Sequence, residues 1–179
     1  MRGLTCDGGI EKIPSKCCVL GAGGGARGVV YGLAGRDEVE EIIVLNRTVT
    51  KAEELAERLS ERTGKCITAQ PFTPEALKSV IPESGLIVNT TTIGLYPDVD
   101  ATPIEDIDLI NDHHVVYDII IPPLKSRLLR EAEKRGAQTI NAVPMLAYQG
   151  ARSLSLWTER EAPAEYMVQV VREYFSSST

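Results

Sequence analysis

No stretch of this 179-residue chain sustains an apolar run of the length, roughly 18 residues, that a membrane-crossing helix needs. The opening Met1-Arg2-Gly3-Leu4-Thr5 has no hydrophobic signal segment. Membrane insertion and secretion are therefore not expected. Histidine is scarce: His113 and His114 stand side by side, and no carboxylate or cysteine spacing completes a metal site around them. They read as a solvated pair leaving a loop, and no metal is expected. Cys6, Cys17, Cys18 and Cys66 show no paired CxxC spacing. Cys17 and Cys18 fall inside an apolar run, so the thiols read as reduced and the expected compartment is cytoplasmic. Positive charge is in deficit, with 19 Lys and Arg against 25 Asp and Glu, a net charge of -6 and a pI near 5.0. That balance argues against a nucleic-acid partner, whose phosphates need clustered cations. Hydrophobic content of 43% suffices for one core, and the length argues for a single domain.

Against these absences stands one dense motif. Gly21-Ala22-Gly23-Gly24-Gly25-Ala26 follows directly on the apolar run Cys17-Cys18-Val19-Leu20, which places a glycine turn between a buried strand and a helix. Gly21 permits the tight turn, Gly23 lets backbone amides approach a diphosphate, and Ala26 keeps the helix close to the sheet while its N-terminus faces the anion. Alone, the pattern is as consistent with a plain tight turn. A second strand, Ile42-Ile43-Val44-Leu45, ends in Asn46-Arg47-Thr48, where a dinucleotide fingerprint carries an Asp or Glu for the ribose 2'-hydroxyl about 20 residues on. No carboxylate stands there. Arg47 offers a planar fork of donors and Lys51, four residues on, a second positive charge, a pairing suited to a 2'-phosphate. The cofactor expected is NADP(H) rather than NAD(H); the plainer alternative is that both are solvated surface cations.

Strand-like runs alternate with helix-period segments from residue 17 to about residue 141, the pattern of a parallel sheet covered on both faces. The expected fold is α/β, a doubly wound parallel sheet of Rossmann type with about six strands. Residues 1–16 form a lead-in, consistent with a remnant of a substrate domain, and 17–179 the nucleotide-binding domain with closing helices. After the glycine loop the helices read as Gly24–Ala34, a segment capped by a Thr50–Glu53 box and running to Thr63, Pro74–Ser79 with Thr73 as cap, Ser126–Arg135, Met145–Thr158 and Pro163–Tyr174. The remaining strands read as Lys65–Ala69, Gly85–Asn89, Val115–Ile119 and Thr139–Asn141. Thr90 to Asn111, carrying Gly94, Pro97 and Pro103, reads as a long loop of the kind that is often functional. Trp157 reads as core packing, and the Ser176-Ser177-Ser178 tail as frayed.

The glycine loop, Asn46-Arg47-Thr48-Val49-Thr50-Lys51, Asn89-Thr90-Thr91-Thr92-Ile93-Gly94, Val116-Tyr117-Asp118 and Met145-Leu146-Ala147-Tyr148-Gln149-Gly150 come in this order with compatible spacings. Together they resemble the C-terminal NADP-binding domain of the shikimate dehydrogenase family, from about Lys16 to the end. The resemblance implies reversible reduction of 3-dehydroshikimate to shikimate by NADPH, in the route to aromatic amino acids. It also implies that Gly21, Ala22, Gly23, Gly24, Gly25 and Ala26 hold the pyrophosphate, and that Asn46, Arg47, Thr48 and Lys51 hold the adenosine ribose and its 2'-phosphate. Thr90, Thr91 and Thr92 would lie near the nicotinamide ribose, Ile119 on the nicotinamide side, and Gln149 at the substrate. Simpler readings stand beside these: Asn89 and its threonines as a hydrogen-bonded strand exit, Asp118 as a buried carboxylate paired to backbone amides, and Gln149 as a surface side chain.

The chain departs from the family on the substrate side. Family catalysis uses a Lys and an Asp, with the substrate held by an N-terminal domain. Thr5-Cys6-Asp7-Gly8 offers Asp7 as counterpart of that Asp, yet 13 residues separate it from Gly21, too few for the helix and strand expected between. Lys12 and Lys16 match no family motif. Ile121 stands where the family has Tyr, and Ala142 and Pro144 where it has a Gly-x-Gly, so the nicotinamide-side loop is expected to be reshaped. The expectation is a cofactor domain that is inactive or weakly active without its substrate domain. The alternatives are a non-catalytic NADP(H)-binding module or sensor, and another reductase with a similar domain, such as a glutamyl-tRNA reductase. Homo-oligomerisation is left open.

Overall fold

The computed structural model describes residues 2–177. Six parallel strands, β1 (Lys16–Leu20), β2 (Glu41–Asn46), β3 (Cys66–Pro71), β4 (Leu86–Asn89), β5 (Val115–Asp118) and β6 (Gln138–Ile140), lie in the order β3-β2-β1-β4-β5-β6. The helices are α1 (Gly24–Ala34), α2 (Val49–Thr63), α3 (Pro74–Val80), α4 (Arg127–Lys134), α5 (Val143–Thr158) and α6 (Ala164–Ser177). This is the doubly wound arrangement expected.

Alternation along the strands decides which layer each side chain joins. Cys17, Val19, Ile42, Val44, Leu86 and Val88 pack with Val30, Leu33, Leu55 and Leu59 of α1 and α2. Their neighbours Cys18, Leu20, Ile43, Leu45 and Ile87 pack with Leu77, Leu128 and Leu129 of α3 and α4. Strands buried on both faces read as continuous apolar runs, which is why β1 and β2 look alike in sequence. Leu4, Ile10 and Ile13 of the lead-in join the first layer, and a short helical turn at Gly3–Asp7 carries Leu4 there.

Local signals set most helix ends. Thr73 Oγ1 accepts the Ala76 N–H at 3.2 Å and Ser126 Oγ the Leu129 N–H at 3.3 Å, capping α3 and α4. Gly64 ends α2 at φ +70, and Gly136 follows α4 at φ +84. The Thr50–Glu53 capping box does not form: α2 begins at Val49 behind Thr48, so Thr50 is already inside the first turn. Ala52, Leu55, Ala56 and Leu59 nevertheless form its buried face, as expected. The helix α5 begins two residues before Met145, because Pro144 fits the first turn, where a missing N–H forfeits no bond.

Two further expectations change. His114 is buried rather than solvated: its Nδ1 accepts the Asn111 N–H at 3.0 Å and its Nε2 donates to Ile81 O at 3.0 Å. Burial lowers its pKa, so the ring is a neutral staple between the long loop and α3, while His113 stays exposed. Trp157 is 82% exposed on α5 and takes no part in the core. Cys17 and Cys18 are buried free thiols, and burial pushes the Cys17 pKa up to about 12, which removes thiolate reactivity. Of the serine tail, Ser176 and Ser177 fall within α6 and Ser178 lies outside the described residues.

Candidate functional site

The carboxyl ends of the central strands are aligned by register. Leu20 pairs with Leu45 on one side and Asn89 on the other, and Asn89 pairs with Asp118. The chain leaves β1 and β4 side by side at the point where the strand order reverses, and there the glycine loop meets the Thr90 turn. Crevices of this kind are where open parallel sheets hold ligands.

Gly21 adopts φ +103 and donates its N–H to Leu45 O at 2.7 Å. A Cβ on it would stand 2.7 Å from Thr90 Oγ1 and 3.3 Å from Thr91 Cγ2, so the loop and the β4 exit touch. A Cβ on Gly25 would stand 2.8 Å from Ile119 Cδ1. The structure therefore brings Gly21, Gly25, Thr90, Thr91 and Ile119 together as one surface. Ala26 is fully buried and seats α1 on the sheet, whereas Gly23, the residue before α1, has nothing within 4 Å of its Cβ position. Bare backbone at an open helix start is a cradle for an anion. Thr92 and Gln149 are exposed.

Beyond β2, Asn46 Nδ2 donates to Thr48 O at 2.8 Å and shapes the turn that presents Arg47 and Thr48 to solvent. Arg47 lines a groove of about 390 Å³ with Phe72, Thr73 and Leu77. Lys51 lines a separate hollow of about 280 Å³ with Ala22 of the glycine loop. Neither cation is engaged in an ion pair among the described residues.

Beneath the β4 exit lies a buried polar network. Asp118 is 1% exposed; its Oδ1 accepts from Asn89 Nδ2 at 3.0 Å and from the Ile120 N–H at 3.3 Å, and its Oδ2 accepts from Ser126 Oγ at 2.5 Å. Asn89 Oδ1 accepts from both the N–H and the Oγ1 of Thr91, at 3.0 and 2.7 Å. Burial pushes the Asp118 pKa up to about 6, against the pull of these donors. Asp118 thus pairs mainly with side chains rather than backbone amides, and it fixes the turn that carries Thr90 to Thr92. Sequence reasoning missed Ser126, whose only local signal was that of a helix cap.

Asp7 sits elsewhere. Its Oδ1 accepts from Arg172 Nη2 at 2.9 Å, and its carboxylate, beside the Tyr148 phenol, holds that group above its ordinary pKa. Asp7 therefore adjoins the helix that carries Gln149, while Lys16 pairs with Glu41. Among the described residues no cluster of three or more metal-ligating side chains occurs, and no helix is long and apolar enough to cross a membrane.

Strand order, glycine turn and open helix start define a Rossmann-type nucleotide-binding fold. Sequence comparison narrows the class. The chain belongs to the shikimate dehydrogenase family: the model of the Shikimate / quinate 5-dehydrogenase family matches residues 11–127, and that of the Shikimate 5'-dehydrogenase C-terminal domain matches residues 143–172. The shikimate dehydrogenase (NADP(+)) of Methanopyrus kandleri is 40% identical over 174 residues, which is 97% of this chain and 60% of that protein. Among solved structures, the shikimate 5-dehydrogenase of Listeria monocytogenes, in complex with shikimate and NAD, superposes with a TM-score of 0.84 at 31% identity over 96% of this chain and 60% of that one. The Thermus thermophilus enzyme, in complex with NADP(H) and shikimate, gives 0.75 at 34% identity over 96% of this chain and 59% of that one. The chain spans about three fifths of the length of these relatives.

Proposed function

We propose that this chain is the NADP(H)-binding domain of a shikimate dehydrogenase, and that it turns over 3-dehydroshikimate only when a substrate domain is supplied. The observation that carries the reading is the pairing of an open glycine cradle at Gly23 with cations past β2, Arg47 and Lys51, that make no ion pair among the described residues. The residues present fit the cofactor: Gly21 supplies the turn, backbone amides from Ala22 through Gly23, Gly24 and Gly25 to Ala26 face the diphosphate, and Asn46, Arg47, Thr48 and Lys51 face the adenosine ribose and its 2'-phosphate. Thr90, Thr91 and Thr92 line the nicotinamide ribose, Ile119 packs on the nicotinamide side, and Gln149 reaches toward the substrate. When bound, NADPH supplies the hydride.

The chain's own residues position the donor and leave the acceptor unheld. Hydride transfer needs the substrate carbonyl in near-attack geometry with an acid beside the developing alkoxide, and positioning is worth roughly 7–11 kcal/mol of barrier. Asp7 is tied to Arg172, and among the described residues it makes no ion pair with a lysine. A second reading, an NADP(H)-binding module or sensor without catalysis, is favoured by Ala142 and Pro144, which are buried in the start of α5 where the family has a flexible glycine pair.

Two measurements test the first reading. In a fluorescence titration, Arg47→Ala is expected to weaken NADPH roughly tenfold or more and to leave NADH nearly unchanged. Equal losses for both cofactors would contradict the phosphate assignment. With shikimate and NADP+ added to the chain, absorbance at the NADPH band is expected to stay flat; brisk turnover would show that the acid and substrate clamp lie within these residues.

A further inference from the structure

Arg47 and Lys51 read from the sequence as one cationic pair, yet they line different hollows. Arg47 lines a groove with Phe72, Pro74 and Leu77 and with the charged Lys78, Glu105 and Asp106. Lys51 faces the hollow beside Ala22, and the other side chains around it are Arg27, Glu54, Leu55 and Arg58. We infer that Arg58, with Arg27, belongs to the site that takes the cofactor's 2'-phosphate, and that Arg58 sets the preference for the phosphorylated dinucleotide. The inference rests on the NADP(H) reading above and adds to it a residue two helical turns beyond the motif.

The hollow carries an excess of positive charge. Three cations face one carboxylate, Glu54, in a chain of net charge -6, and none of Arg27, Lys51 and Arg58 makes an ion pair or a side-chain hydrogen bond. By contrast Arg36, Arg127, Arg130, Arg135 and Arg172 each hold a carboxylate. A cluster of unpaired, solvent-exposed cations beside Leu55 raises the local positive potential and favours an anion there.

Geometry explains how Arg58 reaches a site formed by the start of α2. Lys51, Leu55 and Arg58 share one face of the helix at spacings of four and three. Helical side chains lean toward the N-terminus, so the long Arg58 chain runs back toward Lys51 and the glycine loop. Arg27 enters from the first turn of α1, where its N–H donates to Gly23 O at 3.0 Å, and it lines the hollow together with Ala22 of the glycine loop. Two arginines and one lysine line a hollow of about 280 Å³, and bidentate pairing would favour a phosphate dianion there over a neutral hydroxyl.

Arg62 supplies an internal control. It lies one turn beyond Arg58 on the same helix and lines the neighbouring groove of about 490 Å³, to which Arg27, Leu55 and Arg58 also contribute, but not the hollow beside Ala22; its guanidinium rests 5.7 Å from the centre of the Tyr31 ring. Replacing Arg62 removes the same charge from the same face without touching the hollow beside Ala22.

The test compares Arg58→Gln, Arg58→Lys and Arg62→Gln in the whole chain, by titration with NADPH and NADH and by competition with 2',5'-ADP and 5'-ADP. Arg58→Gln is expected to weaken NADPH and 2',5'-ADP roughly five- to tenfold with NADH and 5'-ADP unchanged, Arg58→Lys to recover part of the loss, and Arg62→Gln to change affinity less than about twofold. Matching thermal melts of all variants establish that folding is preserved, as an exposed position on α2 should allow. Wild-type affinity in Arg58→Gln, or an equal loss in Arg62→Gln, overturns the assignment of Arg58 while leaving the NADP(H) reading intact. A wild-type chain that binds NADPH no better than NADH overturns that reading together with the inference.

Discussion

Gly21→Ala is expected to destabilise the chain by about 3 kcal/mol and to abolish cofactor binding, whereas Gly23→Ala is expected to cost at most about 1 kcal/mol of stability and still lose binding. The two glycines differ in what surrounds them. Gly21 holds φ +103, a conformation that an L-residue resists by roughly 1–2 kcal/mol, and its added methyl would press on Thr90 Oγ1 at 2.7 Å. Thr90 cannot step aside cheaply, because its Oγ1 and its N–H both donate to Leu20 O, at 2.7 and 2.9 Å. Strain at Gly21 therefore spreads into the junction of β1 and β4, the two strands that form the crevice. Gly23 has φ -86 and open space around its Cβ position, so a methyl there fits the folded chain and intrudes only on the volume that a diphosphate would need. Urea unfolding separates the two, with a lower midpoint for Gly21→Ala and a near-native one for Gly23→Ala. Loss of binding in both, with loss of stability in one, is the signature of a cradle built for backbone approach. Retained NADPH affinity in Gly23→Ala would place the diphosphate elsewhere.

Asp118→Ala is expected to cost about 3 kcal/mol, and Asp118→Asn much less, with a change in how stability depends on pH. Alanine strands Asn89 Nδ2, the Ile120 N–H and Ser126 Oγ, all buried donors that Asp118 serves. Asparagine keeps an acceptor for the two N–H groups, and the Ser126 hydroxyl can reverse to accept from the new amide. In the folded chain the Asp118 pKa is pushed up to about 6 by burial, above the value of about 3.9 for an unfolded chain. The folded state therefore binds this proton more tightly, so the associated stability is complete below about pH 4 and is lost as pH rises through 6. Wild type should gain on Asp118→Asn when both are unfolded at pH 4.5 rather than 7. His114 acts in the opposite sense: its lowered folded pKa gives stability that is present above the unfolded value of about 6.5 and is lost as pH falls. Because His114 is common to both proteins, its contribution drops out of the difference. A wild-type-to-variant gap that does not move with pH would show that Asp118 is ionised in the fold at both values.

The parts of the fold that local chemistry determines were legible. Glycine punctuation after an apolar run, and apolar spacing on α2, depend on neighbours in sequence, and both read correctly. What escaped depends on distant partners. His114 follows an exposed loop, and only the approach of Ile81 O makes it a buried staple. Trp157 has the composition of a core residue, but α5 turns that face outward. The Thr50–Glu53 pattern is a sound capping signal that lost to a start at Val49, since Asn46 had already bent the chain through its bond to Thr48 O. At the candidate site the glycine loop, Thr90 and Ile119 belong together in sequence and in space. Arg58 did not announce itself, because a cation on a solvated helix face carries no signal until Ala22 and Arg27 are seen beside it.

Solved relatives include complexes with NAD as well as with NADP(H), so the family alone does not decide which dinucleotide this chain prefers. The unpaired cations around Ala22 and past β2 do bear on it. The most direct measurement is a pair of equilibrium titrations of the whole chain, followed by the fluorescence of NADPH and of NADH at low ionic strength and again with added salt. NADPH is expected to bind at least tenfold more tightly than NADH, with the advantage shrinking as salt screens the second phosphate charge. Equal affinity for the two, insensitive to salt, would contradict the account.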